Sequence, residues 1–280
     1  MHVHSELLVT DLAKKARELR IQTLKMVFNA QSGHLGGSFS AAEIMAAAYF
    51  HHLRIRPKEP QWPDRDRLVV SKGHCAPIYY LALADAGFFP MEWLNSFRRL
   101  GTRLQGHPDR TKVPGVEVNS GPLGHGLSVG VGLALSGRVR RAPYGTYVLL
   151  GDGETQSGVV WEAAMAASKF RLEKLTAILD YNGVQLSGPV HEVMPIEPLR
   201  DKWEAFGWQV FEIDGHNVRQ ILDALDAVRG IHGKPSIIIA HTVKGKGVSF
   251  MEGNCAWHGK APNQEQYEQA LRELRNGDDR

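Results

Sequence analysis

The sequence predicts an α/β fold, a doubly wound and mainly parallel sheet with helices on both faces, on three observations. Five short apolar runs alternate with stretches of helical length along the 280 residues. Most runs are continuous, as in VLL, AIL and IIIA, which suits strands buried on both faces. Four of the five end in polar or glycine-rich loops: SKGH (71–74), GDGE (151–154), DYNG (180–183) and HTVKGKG (241–247). Ligands bind such sheets at the carboxyl ends of the strands, so the loops mark one edge as a site.

Residues 5–29 read as a first helix, because Leu8, Leu12, Ala16, Leu19, Thr23 and Met26 recur at steps of three and four with charges between. A second helix is expected over 40–52, with Ser40 as its cap and Glu43 completing a capping box. The strands are expected at 67–70, 146–150, 175–179, 209–213 and 236–240. Helical stretches are expected near 75–86, 91–100, 124–141, 158–170, 197–206 and 216–229, and Gln264–Arg275 reads as a final amphipathic helix. With no repeat, low-complexity tract or linker, residues 1–280 are expected to form one domain.

Composition narrows the function. Hydrophobic residues at 43% and charged residues at 22% exclude extended disorder, collagen and coiled coil. A net charge of +3, evenly spread, is too small for a nucleic-acid surface. Cys75 and Cys255 are too few for a disulfide framework or a zinc site, and are expected as free thiols in a reducing cytosol. No run approaches the roughly 20 apolar residues of a membrane span, and MHVHSELLVTDL lacks the pattern of a signal peptide. A cytoplasmic protein is expected. The initial Met and the polar tail NGDDR read as natural termini.

The loops carry chemistry. Asp152 lies between Gly151 and Gly153, where an apolar run ends, and the glycines let a ligand approach the backbone. Asn182 follows the next strand, thirty residues further on. One strand–helix–strand unit spans about 30 residues, so the two side chains are expected side by side. A carboxylate and an amide oxygen suit Mg²⁺ or Ca²⁺ held jointly with phosphate oxygens, whereas zinc would want Cys or His. His34, His74, His107 and His258 stand in glycine-rich loops predicted to meet at this edge, and imidazole can give or take a proton near neutral pH. Lys244 and Lys246 form either a phosphate-binding loop or a solvated basic turn. Trp203, Trp208, Trp257 and the methionines read as packing, and His2, His4, His51, His52 and His232 as surface.

The segment from GDGE through WEAAMAASKFRLEKLTAILDYNGVQLSG resembles the thiamine-diphosphate motif of transketolases. So do SGHLGGSFSAAEI (32–44), VVSKGHCAPIYY (69–80), GHP (106–108), SGPLGHGLSVGVGLAL (120–135) and HGKAP (258–262), in the family's order. The resemblance implies a thiamine-diphosphate-binding domain, with the cofactor's diphosphate held through Mg²⁺, or Ca²⁺ or Mn²⁺ in its place. The metal's protein ligands would be Asp152, Asn182 and the Val184 carbonyl. Gly151 and Gly153 would give the diphosphate room, and Gly121, Pro122 and Leu123 would lie near the aminopyrimidine. His74 and His258 would sit near the diphosphate, His34 and His107 would face the donor sugar's first carbons, and Lys244 would approach the cofactor's edge. Glu162, which matches a family glutamate, would serve the cofactor site through the subunit interface or local hydrogen bonding. His125, where the family usually has Gln, and Ser157, where an acidic residue often precedes the glycine, leave the sugar open.

The resemblance also implies what lies elsewhere. The family's pyrimidine-binding domain and its activating glutamate are not in this chain. The expectation is the N-terminal subunit of a split transketolase, paired as α2β2 with a C-terminal subunit. It would transfer a two-carbon ketol unit from a ketose (phosphate) donor to an aldose (phosphate) acceptor, with pentose phosphates as the default. The alternatives are half of another thiamine-diphosphate enzyme, such as deoxyxylulose-phosphate synthase or a dehydrogenase E1 component, and a non-catalytic cofactor-binding subunit.

Overall fold

Strands form where the continuous apolar runs lie. A computed structural model describes residues 4–277. Helix α1 (Glu6–Ala30) leads into α2 (Gly36–Ser40) and α3 (Ala42–Ala47), and α3 ends in a π-helical turn over Ala48–His52. Then come β1 (Arg67–Val70), α4 (Ala76–Asp85), α5 (His125–Val139), β2 (Thr146–Gly151), α6 (Gly158–Lys169) and β3 (Leu175–Tyr181). A small antiparallel ribbon, β4 (Val184–Gln185) and β5 (Gly188–Pro189), follows with α7 (Val190–Val193) and α8 (Leu199–Ala205). The chain continues through β6 (Gln209–Asp214), α9 (Val218–Arg229), β7 (Ser236–His241) and α10 (Gln264–Arg275).

The main sheet has the order β1-β2-β3-β7-β6, every pair parallel. Alternate residues of each central strand enter different cores, which is why the runs read as continuously apolar. Leu149, Ile178 and Ile238 pack with α1, α3, α4, α9 and α10. Val148, Leu150, Ala177 and Leu179 pack with α5, α6 and α8. Gly130 of α5 sits so close to Val148 that a Cβ there would collide with it, so the helix lies directly on the sheet. Registers Gly151↔Asp180 and Asp180↔Ala240 bring the tips of β2, β3 and β7 level.

Several expectations are corrected. Ser40 caps no helix: its hydroxyl donates to Asp180 Oδ2 at 2.6 Å and to Gly37 O at 3.1 Å, and Glu43 pairs with Arg20 instead of closing a capping box. The helix expected near 91–100 is only a 3₁₀ turn, Met91–Ser96, followed by Arg98 at φ 56°. His4 and His52 are buried, His4 within 3.2 Å of Asp226 and His52 hydrogen-bonded to the Tyr147 hydroxyl at 2.8 Å. Met91, Met165 and Met194 are exposed rather than packed. His2 lies outside the described residues. Both cysteines are free, and the buried Cys75 thiol donates to Gly37 O.

Candidate functional site

The floor of the site is a buried ion pair beneath the strand tips. Asp180 ends the apolar run of β3 and is fully buried. It accepts from Ser40, from the Thr242 hydroxyl, from Asn182 Nδ2 at 3.3 Å and from the Lys72 ammonium. Burial works against its charge, yet the Lys72 ammonium and these hydrogen bonds hold the carboxyl below its usual range. Lys72, just beyond β1, is equally buried and also donates to Gly37 O at 3.1 Å. Burial disfavours its ammonium, and Asp180 more than restores it.

Asp152 stands at the tip of β2, buried, with no side-chain hydrogen-bond donor among the described residues. Its Oδ1 accepts from Gly153 N at 2.7 Å and its Oδ2 from Gly183 N at 2.5 Å. Burial, and then repulsion from Asp180, push it up to about 6. Asn182 Oδ1 accepts from Val184 N at 3.2 Å, and Val184 O accepts from the Lys244 ammonium at 2.8 Å. One carboxylate and two neutral oxygens thus lie on adjoining tips. Among the described residues no group of three or more His, Cys, Asp or Glu could hold a metal. This donor set fits a hard divalent cation only if a ligand's own oxygens complete the shell, the manner in which Mg²⁺ is held with a diphosphate.

Histidines and a lysine form the wall. The rings of His34, His74 and His258 lie 4.9 to 5.6 Å apart, centroid to centroid. Lys244 donates to His258 Nδ1 at 2.9 Å, so with Lys244 charged that nitrogen is the acceptor and Nε2 carries the proton. Burial and the neighbouring cation Arg98 bring His34 down to about 4, and burial and Lys244 bring His258 to about 3. Burial, then Lys72, also holds His74 well below the usual imidazole range. Burial and then Lys72 lower Lys244 to about 8. Lys244 is 2% exposed, so KGKG is no solvated turn at that position, whereas the Lys246 side chain is 40% exposed. Of the four loop histidines, three therefore cluster. The fourth, His107, is exposed at the mouth, where a Cβ on Gly121 would lie 3.6 Å from its ring.

Glu154 anchors the loop carrying Gly121, Pro122 and Leu123. Its Oε1 accepts from Gly124 N at 2.7 Å and from the Ser71 hydroxyl, and its Oε2 from Gly151 N at 2.9 Å. Gly124 adopts φ 85°, and a Cβ there would meet Ser157 at 2.8 Å. His125 starts α5 exposed, its Nδ1 3.2 Å from Leu123 O. The two departures from the family pattern thus border one loop. Pro122 and Leu123 are exposed, and Glu162 is exposed on α6 outside the hydrogen-bonded group. Sequence reasoning gives no role to Lys72, Glu154 or Asp180, although each lies in a loop that it singles out.

A family model described as transketolase, thiamine diphosphate binding domain, matches residues 12–277. This chain belongs to the transketolase family. It is 44% identical to one subunit of the apulose-4-phosphate transketolase of Phocaeicola vulgatus, over 95% of this chain and 94% of that one. It is 45% identical to the 6-deoxy-6-sulfo-D-fructose transketolase subunit SqwG of a Clostridium species, over 94% of this chain and 96% of that one. The match to human transketolase, 39% identical, covers 94% of this chain and 42% of that one. Among solved structures, the transketolase of Leishmania mexicana superposes with a TM-score of 0.89 at 31% identity, covering 98% of this chain and 42% of that one. In length the chain corresponds to these separate transketolase subunits, and it covers 42% of the longer enzymes. The expected fold and family both hold.

Proposed function

We propose that this chain is the diphosphate-binding subunit of a two-chain transketolase. The observation that carries the reading is the meeting of Asp152, Asn182 and the Val184 carbonyl with Lys244 and His258, in a chain matched nearly end to end by proteins named as transketolase subunits. Asp152, Asn182 and Val184 O hold Mg²⁺. Lys244, His74 and His258 meet the diphosphate, with Gly151 and Gly153 giving it room. Gly121, Pro122 and Leu123 border the cofactor's ring end. When bound, thiamine diphosphate supplies a carbon nucleophile that doubles as an electron sink.

The remaining steps belong to side chains. His34 and His107 hydrogen-bond the first hydroxyls of a ketose donor and move its protons as a two-carbon ketol unit passes to an aldose acceptor. The relatives' names specify apulose 4-phosphate and 6-deoxy-6-sulfofructose, so the reading favours an anionic ketose here. Residues 1–280 form one such domain, working in the cytosol. The partner brings the pyrimidine-binding half, in an α2β2 assembly. Exposed apolar side chains beside the loop, Leu123, Val129 of α5 and Met165 of α6, support a covering chain there, with Glu162 at its border.

The test is calorimetry of thiamine diphosphate with Mg²⁺ and with chelator, on this chain co-expressed with its partner, followed by ketol-transfer assays. Mg²⁺-dependent binding and turnover of a ketose support the reading. Decarboxylation of pyruvate in place of ketol transfer would assign another thiamine chemistry.

A further inference from the structure

Arg98 differs from the other cations around the site. It is half-buried, and its backbone is left-handed at φ 56°, a conformation uncommon for a bulky side chain and concentrated at functional sites. Its N–H donates to Leu104 O at 3.0 Å, and its Nη1 donates to Ser32 Oγ at 2.9 Å. No carboxylate pairs with it among the described residues. The guanidinium rests against Gly106, where a Cβ would lie 2.5 Å from Nη2, 2.7 Å from Nε and 2.9 Å from Cζ. Glycine at 106 is what lets it lie there. Ser32 stands two residues before His34, and Gly106 one before His107. One side chain thus joins the two loops whose histidines the functional reading turns toward the sugar.

We propose that Arg98 is a positioning residue for the donor sugar, tying the 32–34 loop to the 106–108 loop so that His34 and His107 face the ketose at a fixed separation. The proposal rests on the reading of those histidines as sugar-facing groups. Sugar hydroxyls need partners that both donate and accept, which a neutral imidazole provides and an imidazolium does not. A fixed guanidinium beside both rings disfavours a second positive charge. The groups acting on His34 are Arg98, His107 and Lys244, beside the rings of His74 and His258, and the charge acting on His107 is Arg98. None is a carboxylate, so nothing there offsets the guanidinium.

Two variants test this in the assembled enzyme with cofactor and Mg²⁺. Arg98→Gln removes the charge, and Gly106→Ala leaves Arg98 in place but displaces it. Each is expected to raise KM for the donor by about tenfold or more, with thiamine diphosphate affinity unchanged by calorimetry. The acid limb of kcat/KM moves to higher pH in Arg98→Gln, and NMR titration of the full chain shows the His107 imidazole protonating at higher pH than in wild type. The double variant is no worse than Arg98→Gln alone, because both act through one guanidinium. A donor KM like wild type's, an unmoved His107 titration, or fully additive effects would each overturn the proposal. A wild-type assembly that binds cofactor but transfers no ketol unit overturns the sugar-site reading instead, and the imidazole titration then decides separately whether Arg98 governs the two rings.

Discussion

The Lys244 ammonium donates a 2.8 Å hydrogen bond to the carbonyl oxygen of Val184, the oxygen that a metal at Asp152 and Asn182 would need. An ammonium and a metal cation on that one oxygen would repel each other, so a metal bound there would favour moving the lysine away. Lys244 also reaches His258 Nδ1 at 2.9 Å, so releasing Val184 leaves it a second partner. Lys244 in this way ties the loop after β7 to the loop after β3.

Cofactor binding has a pH dependence. Burial and Asp180 push Asp152 up to about 6, so below that pH protons compete with the metal for the carboxylate. Burial and Lys72 bring Lys244 to about 8, so above that pH the wall loses a positive charge that would attract a diphosphate. Affinity for thiamine diphosphate with Mg²⁺ is expected to peak between these values. It falls by up to about tenfold per pH unit on the acid side. Lys244→Met is expected to remove the alkaline limb and keep the acid limb. Calorimetry across the range, with chelator as the blank, reads both limbs; an alkaline limb that survives in Lys244→Met would assign it to another group.

Asp152→Ala is expected to abolish Mg²⁺-dependent cofactor binding, a loss of roughly two orders of magnitude or more, equivalent to about 3 kcal/mol. Asp152 is the only carboxylate in the proposed ligand set, and its hydrogen-bond donors are two backbone amides, so its removal leaves no side chain orphaned. Far-ultraviolet circular dichroism should match wild type. Unchanged affinity in a folded variant would refute the metal assignment.

The floor pair gives a stability prediction. Lys72→Met leaves the Asp180 carboxylate buried without a countercharge, which typically costs about 3–5 kcal/mol. The double variant Lys72→Met/Asp180→Asn removes both charges and is expected to recover part of that loss in urea unfolding. The sign with pH follows from direction. Asp180 titrates below its usual value when folded, so its stabilisation is present above the unfolded range, near about pH 4, and is lost as pH falls. The gap in stability between wild type and Asp180→Asn should therefore narrow under acid conditions; a gap that widens there would reverse the assignment.

These pairings also mark where the sequence stops being informative. The strands are legible because each central run is apolar on both faces, and Asp152 and Asn182 because one strand–helix–strand unit separates them. The floor is not. Lys72 and Asp180 are 108 positions apart, and Ser40 is 140 from Asp180. Nothing local in SKGH or DYNG says that lysine and aspartate meet beneath the site rather than facing solvent. Ser40 is misread because a serine before an apolar helix has the same local pattern as a cap. His52 reads as surface from its helix, and its partners Tyr147 and Arg229 lie 95 and 177 positions away. Arg98 escapes notice because its left-handed backbone and its contact with Gly106 leave no periodic trace.

Glu154 offers the sharpest separation of loop order from metal binding. Its two carboxylate oxygens accept from Gly124 N, Gly151 N and the Ser71 hydroxyl, and so join the 121–124 loop to the tips of β1 and β2. Burial pushes its titration upward, while these hydrogen bonds favour the charged form. Glu154→Gln offers one acceptor oxygen where two are used and turns an amide donor toward backbone donors. A buried donor left unmet costs about 1–3 kcal/mol. The 121–124 loop should loosen, and the Gly124 amide should exchange with solvent faster in hydrogen-exchange mass spectrometry. Asp152, Asn182 and Val184 keep their places in this variant. Thiamine diphosphate should therefore bind about tenfold or more weakly, while the Mg²⁺ dependence of that binding keeps its midpoint. A shift of the Mg²⁺ midpoint with unchanged exchange at Gly124 would mean that Glu154 acts through the metal ligands rather than through the loop.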